Sequence, residues 1–562
     1  MMRKNRTYIY LLLVIALAAG LRFLYLLGDA PVADISRSGV FYVDEGTYVH
    51  NVVNKILYGQ WFLKDDYNAI SNVPVYSAGQ YALLKVFGLS MKSLRSTGII
   101  YTILSLLCLW YLLKRDDLTL SFTAVILMSL NFFLIIFNRI ALVENMLILF
   151  LVVITLLLHQ YYRKNTAWWM LAAVFLFWTG YFVKPTILFF LPLLILTIFM
   201  RPVDKKVKIR HLFVYALFSS LFLSLAYLIW VNPHIVDWNY FEGRNIHQYI
   251  DESFLIFLTN YARYFSNLKL FQFMPVIYIL FLFYLTFLLY EFMQKKRLSF
   301  NEWFFACWAL CAFLFLGFFK YSPPRHSLIL IPTIFVLTAS FIVKLYRREL
   351  DFTDKNLVFL FFPVAILSLC QILFGYYRII VYSQNYISCY LPLISVIIIP
   401  ALFIMARNKH LQRKFAFAFV GIAIILNLGQ IFKYFNEIEF SYYHAIQDMK
   451  KTLPVNSEKD CVLLGDIAPL VSVELRTKAV NIIFRDESEP DRILHNRPNF
   501  LVLQEKEELQ RLSDKMPFYF SDVQLVKRYR IFDNYRNDDY TYLYAIKNSH
   551  YLTSRKIKMV KN

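Results

Sequence analysis

Apolar runs about twenty residues long, separated by short polar breaks, dominate the first three quarters of the chain. The first, Tyr8 to Leu27, is long enough to cross a bilayer as a helix. Comparable runs follow at about 93–113, 118–137, 140–161, 166–183, 185–200, 211–231, 271–291, 303–319, 326–343, 356–374, 386–405 and 415–432. Together they predict a polytopic α-helical membrane protein of roughly thirteen spanning helices. No small-residue cleavage pattern follows the first run, which therefore reads as a retained helix. Arg22, near its far end, is expected to snorkel to the outer interface.

Two longer segments interrupt this pattern. In residues 28–92, Val49, Val52, Val53, Ile56 and Leu57 fall at helical spacing and form one apolar stripe. That spacing predicts a helix lying in the membrane interface, with Asp44 and Glu45 near its N-terminus. The two carboxylates read equally as a solvated helix cap or as part of a site. A second amphipathic helix opens at Pro74, with Val75, Ala78, Ala82, Leu83, Val86 and Phe87 as its apolar face and Gly88 as its stop. The other long polar segment, 232–270, carries His234, Trp238, Glu242, Arg244, His247, Asp251, Glu252 and Arg263.

From about residue 433 the pattern becomes that of a soluble unit. Short β-rich runs (461–464, 480–484, 500–503, 523–532, 540–546) alternate with helical stretches such as 505–512. The expected organisation is a membrane domain over 1–432 and a small extracytoplasmic α/β domain over 433–562.

Composition sharpens the class. Hydrophobic residues make up 59% of the chain and charged ones 17%, which excludes an ordinary soluble enzyme. The net charge of +21 suggests nucleic acid only until its distribution is read. Lys114-Arg115, Arg163-Lys164, Arg201 with Lys205 to Arg210, Lys295 to Arg297, Lys344 to Arg348 and Arg407 to Lys414 lie in short loops between spans. Such clusters mark the cytoplasmic side, so the N-terminus is expected inside and the C-terminal domain outside. Five of the six cysteines (Cys108, Cys307, Cys311, Cys370, Cys389) lie in or beside apolar spans and form neither a metal spacing nor a disulfide framework. Internal repeats and paired broken helices, the transporter signature, are missing from the pattern.

Charge within the spans is scarce and sits at outer ends: Arg139 and Glu144, Lys184 before Pro185, Arg325-His326, and Arg378. Glu144 is expected more than one turn into its helix. A charged group there costs a few kcal/mol, so it marks a partner or a site. Any one of these can be a snorkelling or topology-setting charge; five on one face point to chemistry.

The order of motifs then carries a resemblance. Phe41 to Tyr48 with its Asp-Glu pair is followed by Asn138-Arg139-Ile140-Ala141-Leu142-Val143-Glu144, Gly180-Tyr181-Phe182-Val183-Lys184-Pro185-Thr186 and Pro323-Pro324-Arg325-His326-Ser327-Leu328. Over about residues 8–345 this resembles the GT-C superfamily of membrane glycosyltransferases, in the branch of protein O-mannosyltransferases and lipid A aminoarabinose transferases. The resemblance implies an inverting transfer from a polyprenyl-phosphate sugar to a lipid, glycan or protein acceptor, at the outer face of a bacterial plasma membrane. It implies Asp44 as general base with Glu45 in support, and Arg139, Glu144, Lys184, Arg325 and His326 as substrate-binding residues. A divalent ion held by carboxylates alone stays possible as a cofactor. One departure stands out: where many relatives carry Lys-Pro-Pro, this chain has Ser71-Asn72-Val73-Pro74, so a phosphate contact must come from elsewhere. The competing readings are an O-antigen ligase or polymerase, a membrane transporter, and a non-catalytic scaffold.

Overall fold

The computed structural model describes residues 2–29, 38–63, 68–164, 166–238, 273–318, 323–350, 394–453, 461–482, 489–504, 506–534 and 537–547, with isolated positions at 270 and between 362 and 373. Among the described residues seven helices are long and apolar enough to cross a membrane, or up to eight if one bent pair is a single span. They are Met91–Leu113, Val143–Lys164, Lys205–Trp238, Pro275–Met293, Phe300–Gly317, Pro324–Arg347 and Lys409–Thr452, with shorter apolar helices at Thr7–Phe23, Ala167–Tyr181 and Pro185–Met200. The chain is a multi-pass helical membrane protein with a small α/β sheet after it. The expected run at 356–374, Arg378, the first part of the run at 386–405 and most of the 232–270 segment lie largely or wholly outside the described residues, while the rest of 386–405 falls in helix Ser395–Arg407.

Prolines shape two of the spans. Pro185 and Pro324 each open a 3₁₀ turn (Pro185–Phe190, Pro324–Leu330), and a second proline, Pro192 or Pro332, lies in the first turn of the α-helix that continues it. A proline lacks the N–H that would tie it to the preceding turn, so the winding changes there.

The run at 118–137 is apolar throughout, yet it breaks into Leu118–Ser129 and Phe132–Asn138, bent by 65°. Asn131 caps the second piece by accepting from the Leu134 amide at 3.0 Å, and Asn427 accepts from the Phe132 amide at 2.8 Å. Arg22 completes the repair. Its guanidinium donates to Ser129 O at 3.0 Å and to Asn138 Oδ1 at 3.2 Å, and the side chain is fully buried. The expected snorkelling of Arg22 is therefore wrong. A broken span frees carbonyls where no water reaches them, and an inward arginine takes one up.

The terminal unit is a five-stranded sheet of order β2-β1-β3-β5-β4: β1 Val462–Gly465, β2 Lys478–Asn481, β3 Phe500–Leu503, β4 Val523–Asn534 and β5 Asn537–Ile546. β1 pairs in parallel with β2 and β3, across the helices Ala468–Leu475 and Glu489–Asn496, and β5 runs antiparallel to both β3 and β4. A side chain at Gly465 would stand 1.9 Å from Val502 O, so glycine is required where β1 ends.

Of the two amphipathic helices, the first departs from expectation in what covers it. In Ser38–Tyr58 the stripe is buried by protein: Val49, Val52 and Val53 share a core with Ile467, Ala468, Leu470 and Val471 of the terminal unit. This helix thus lies under the sheet domain. In Pro74–Phe87 the buried face is Tyr76, Ser77, Gln80 and Leu84, while Val86 and Phe87 are 76% and 58% exposed. The buried face mixes Ser77 and Gln80 with Tyr76 and Leu84, Val75 and Leu83 pack partly on the core, and the exposed apolar end at Val86 and Phe87 suits an interfacial helix.

Candidate active site

Helix Ser38–Tyr58 begins six residues before Asp44, so Asp44 and Glu45 lie in its second turn and are not caps. Neighbours on a helix point about 100° apart, and these two carboxylates have different partners. Glu45 is fully buried and accepts from Arg95 Nη2 at 3.1 Å and from the Ala141 amide at 2.8 Å. Arg95 in turn donates to Leu26 O at 3.1 Å and Gly28 O at 3.2 Å. Glu45 therefore ties the end of the first helix, helix Met91–Leu113 and the turn at 139–142 into one body.

Asp44 faces a group of charges drawn from three other elements. Arg325 Nη1 stands 2.9 Å from Asp44 Oδ2, Arg325 Nε stands 3.7 Å from Glu144 Oε1, and Lys184 Nζ stands 2.5 Å from the same Glu144 oxygen. Lys184 precedes Pro185 in an extended conformation (φ −160°, ψ 127°), the geometry a following proline favours. Arg325 follows the Pro323-Pro324 pair at the start of its 3₁₀ turn, and His326 is half-buried beside it. Glu144 sits in the first turn of Val143–Lys164, where the helix N-terminus favours its charge, and not deeper in the span as expected. Side-chain exposure is 17% for Asp44, 11% for Arg325, 13% for Lys184 and 2% for Glu144, so the four interact with little water between them. Burial, the largest influence, pushes the Asp44 carboxyl above the usual carboxylate range; Arg325 and Lys184 oppose it, and Glu144 adds to it.

Of the residues singled out in the sequence, the structure gathers Asp44, Glu144, Lys184 and Arg325, with His326 alongside. Arg139 is directed elsewhere: it donates to Tyr25 O and lies over the rings of Tyr434 and Phe435, at 5.2 and 5.4 Å from their centroids. Glu45 belongs to the Arg95 tie.

Several supporting residues were not anticipated. Arg95 is a charge inside an apolar span, a signal of the same kind as those read at outer ends. The turn carrying Glu144 is braced by Asn138 Nδ2 donating to Asn145 Oδ1 at 2.7 Å and by Asn145 Nδ2 donating to Ile140 O at 3.0 Å. That turn packs on Gly98, where an added Cβ would come within 2.8 Å of Asn138 O and Ile140 O. Tyr76 donates to Ala141 O at 2.7 Å and meets Tyr48 edge-on at 5.9 Å. The Ser71-Asn72-Val73-Pro74 stretch ends near the Lys184 turn: the Val75 amide donates to Phe182 O at 3.4 Å, two residues before Lys184, and Trp230 Nε1 donates to Ser71 O at 2.8 Å. Among the described residues no three His, Cys, Asp or Glu side chains gather as a metal-holding group.

Comparison with known proteins bears on the fold. Residues 71–230 match the family of dolichyl-phosphate-mannose-protein mannosyltransferases. No curated protein sequence matches the chain. ArnT from Cupriavidus metallidurans, solved with bound undecaprenyl phosphate, superposes with a TM-score of 0.56 at 12% identity, covering 96% of this chain and 98% of its own. The apo form of ArnT gives 0.56 at 14% identity, with 95% and 97% covered. The chain has the fold of the GT-C membrane glycosyltransferases and resembles their branch of protein O-mannosyltransferases and aminoarabinose transferases.

Proposed function

We propose that this protein transfers a sugar from a polyprenyl-phosphate donor to an acceptor, with inversion, at the membrane face that carries Asp44. The observation that carries the reading is the half-buried group of Asp44, Glu144, Lys184 and Arg325, assembled from four separate elements. A carboxylate with raised proton affinity next to two cations is what displacement of a phosphate by a hydroxyl requires. The acceptor oxygen attacks the anomeric carbon as its proton passes to Asp44. The bond from that carbon to the phosphate oxygen breaks, and polyprenyl phosphate leaves with the bonding pair. Arg325 and Lys184 neutralise the charge that builds on the phosphate, Arg325 through its planar fork. Lys184 supplies the contact that Ser71-Asn72-Val73-Pro74 lacks, a role supported by the Val75–Phe182 hydrogen bond that brings the ends of the two stretches together. Glu144 holds Lys184 and steadies Arg325, and His326 borders the site.

The acceptor is a hydroxyl or phosphate group of a lipid, glycan or protein, and the setting is a bacterial plasma membrane with the terminal domain outside. The match to a mannosyltransferase family and the undecaprenyl phosphate bound by ArnT support the donor class. The test is transfer from a polyprenyl-phosphate sugar in reconstituted membranes. Wild-type turnover that Asp44→Asn abolishes supports the reading, and near-normal turnover by Asp44→Asn removes it.

A further inference from the structure

Among the described residues the charges at the site stand in close pairs. Arg325 lies against Asp44 at 2.9 Å, and Lys184 lies against Glu144 at 2.5 Å, with Arg325 Nε bridging toward Glu144 at 3.7 Å. Within this group of four, two carboxylates thus stand against two cations. A phosphate that enters must compete for a cation already engaged. The competition is local, because the guanidinium that stands within ion-pair distance of Asp44 is also a group that binds phosphate.

Of the two cations Arg325 is the one placed to exchange. Among the described residues Lys184 is held by Glu144 alone at 2.5 Å, whereas Arg325 is shared between Asp44 at 2.9 Å and Glu144 at 3.7 Å. We infer that Arg325 is a donor-operated lock on Asp44: the donor phosphate draws the guanidinium off the carboxylate, and Asp44 becomes available as a base only when the donor is in place. This rests on the reaction proposed above and concerns its order.

The exchange has a direction. A phosphodiester donor carries one negative charge, and the departing phosphate monoester carries up to two. The hold on Arg325 therefore strengthens as the reaction proceeds, while the acceptor hydroxyl, donating to Asp44, replaces the lost partner. Without donor, Asp44 stays paired and does not activate water. Leaving a half-buried carboxylate unpaired is costly, so the lock also stabilises the empty site.

The test is binding of undecaprenyl phosphate to the purified full chain in detergent, across a double-mutant cycle of Asp44→Asn and Arg325→Gln. Removing the competitor should tighten binding about tenfold in Asp44→Asn, and the gain should vanish in the Arg325→Gln background. Equal tightening in both backgrounds would mean general repulsion between carboxylate and phosphate, and would overturn the lock while keeping the phosphate site. No tightening would overturn it as well. Arg325→Gln binding as well as wild type would remove the phosphate contact itself, and with it the roles assigned under the proposed reaction. The double variant leaves neither member of the pair charged, which limits misfolding. A structure of wild type with undecaprenyl phosphate supplies an independent reading: Arg325 should lie on the phosphate and away from Asp44, and Arg325 still on Asp44 would overturn the lock.

Discussion

Asp44 and Glu45 are adjacent carboxylates with opposite duties, because one helical step turns one toward Arg325 and the other toward Arg95. Their amide variants should therefore fail differently. Asp44→Asn keeps size and hydrogen bonding and leaves Arg325 its contact with Glu144, so it is expected to lose transfer activity on the order of 10²–10⁴-fold with a smaller drop in melting temperature than Glu45→Gln. Glu45→Gln strands a buried guanidinium and should cost about 3–5 kcal/mol of stability, read as a lower melting temperature and yield. Swapped phenotypes would reverse the assignment. The raised proton affinity of Asp44 fixes a pH dependence too. A base must be ionised, so turnover falls as pH drops through the raised value, and the acid limb of kcat/KM for the acceptor should lie above the ordinary aspartate value of 3.8. The sign for stability is the reverse: a carboxyl raised in the folded state favours folding at low pH, and that contribution is lost as pH rises through the folded value. An acid limb at or below the ordinary value would mean that another group is the base.

At the scale of elements, the site depends on close packing under its helix. Gly46 lies under Leu470 of helix Ala468–Leu475, and an added Cβ would stand 3.0 Å from the Leu470 amide nitrogen and 3.2 Å from its Cβ. Backbone cannot step aside cheaply, so Gly46→Ala should push the terminal domain off the Asp44 helix and cost about 1–3 kcal/mol with reduced turnover. Gly421 is also helical but has nothing within 4 Å of an added Cβ. There alanine's helix preference acts alone, and Gly421→Ala should be neutral or stabilising by up to about 1 kcal/mol. Thermal melts of the two variants side by side decide the matter. The broken span gives a second case. Arg22→Met removes the donor to Ser129 O and Asn138, and each buried acceptor left unpaired costs about 1–3 kcal/mol. An unchanged melting temperature for Arg22→Met would contradict the role given to this arginine.

Across the whole molecule, the terminal sheet, the Asp44 helix and the interfacial helix Pro74–Phe87 occupy one end of the bundle. Leu84 shares a core with Val49 and Leu470, and Glu474 accepts from the Met91 amide at 2.6 Å. The basic loops lie toward the other end, where Asp116 meets His159 at 3.1 Å and Arg163 at 3.3 Å. Single cysteines placed at Lys85 and Ser521 of a cysteine-free chain should label together with an impermeant reagent on intact cells. Those at Lys164 and Lys296 should label only after lysis. Labelling of Ser521 with the lysine set would place the terminal domain inside and move the proposed reaction to the cytoplasmic face.

Run length, loop charge and the rarity of charge in apolar segments made the helical membrane plan and the terminal α/β unit legible in the sequence. In a bilayer, backbone polar groups must pair within the segment, so an apolar run of sufficient length has few alternatives to a helix. Asp44, Glu144, Lys184 and Arg325 stood out for a related reason, the cost of charge near lipid. The tertiary structure decided who faces whom. Arg95 lies 50 residues from Glu45, and Leu470 is separated from Gly46 by nearly the whole membrane domain. Periodicity marked the stripe on Ser38–Tyr58 as apolar and left open whether lipid or protein covers it, because both are apolar environments. The inward turn of Arg22 has the same origin. An amphipathic pattern records two faces, and only the packed neighbours determine which of them points into the molecule.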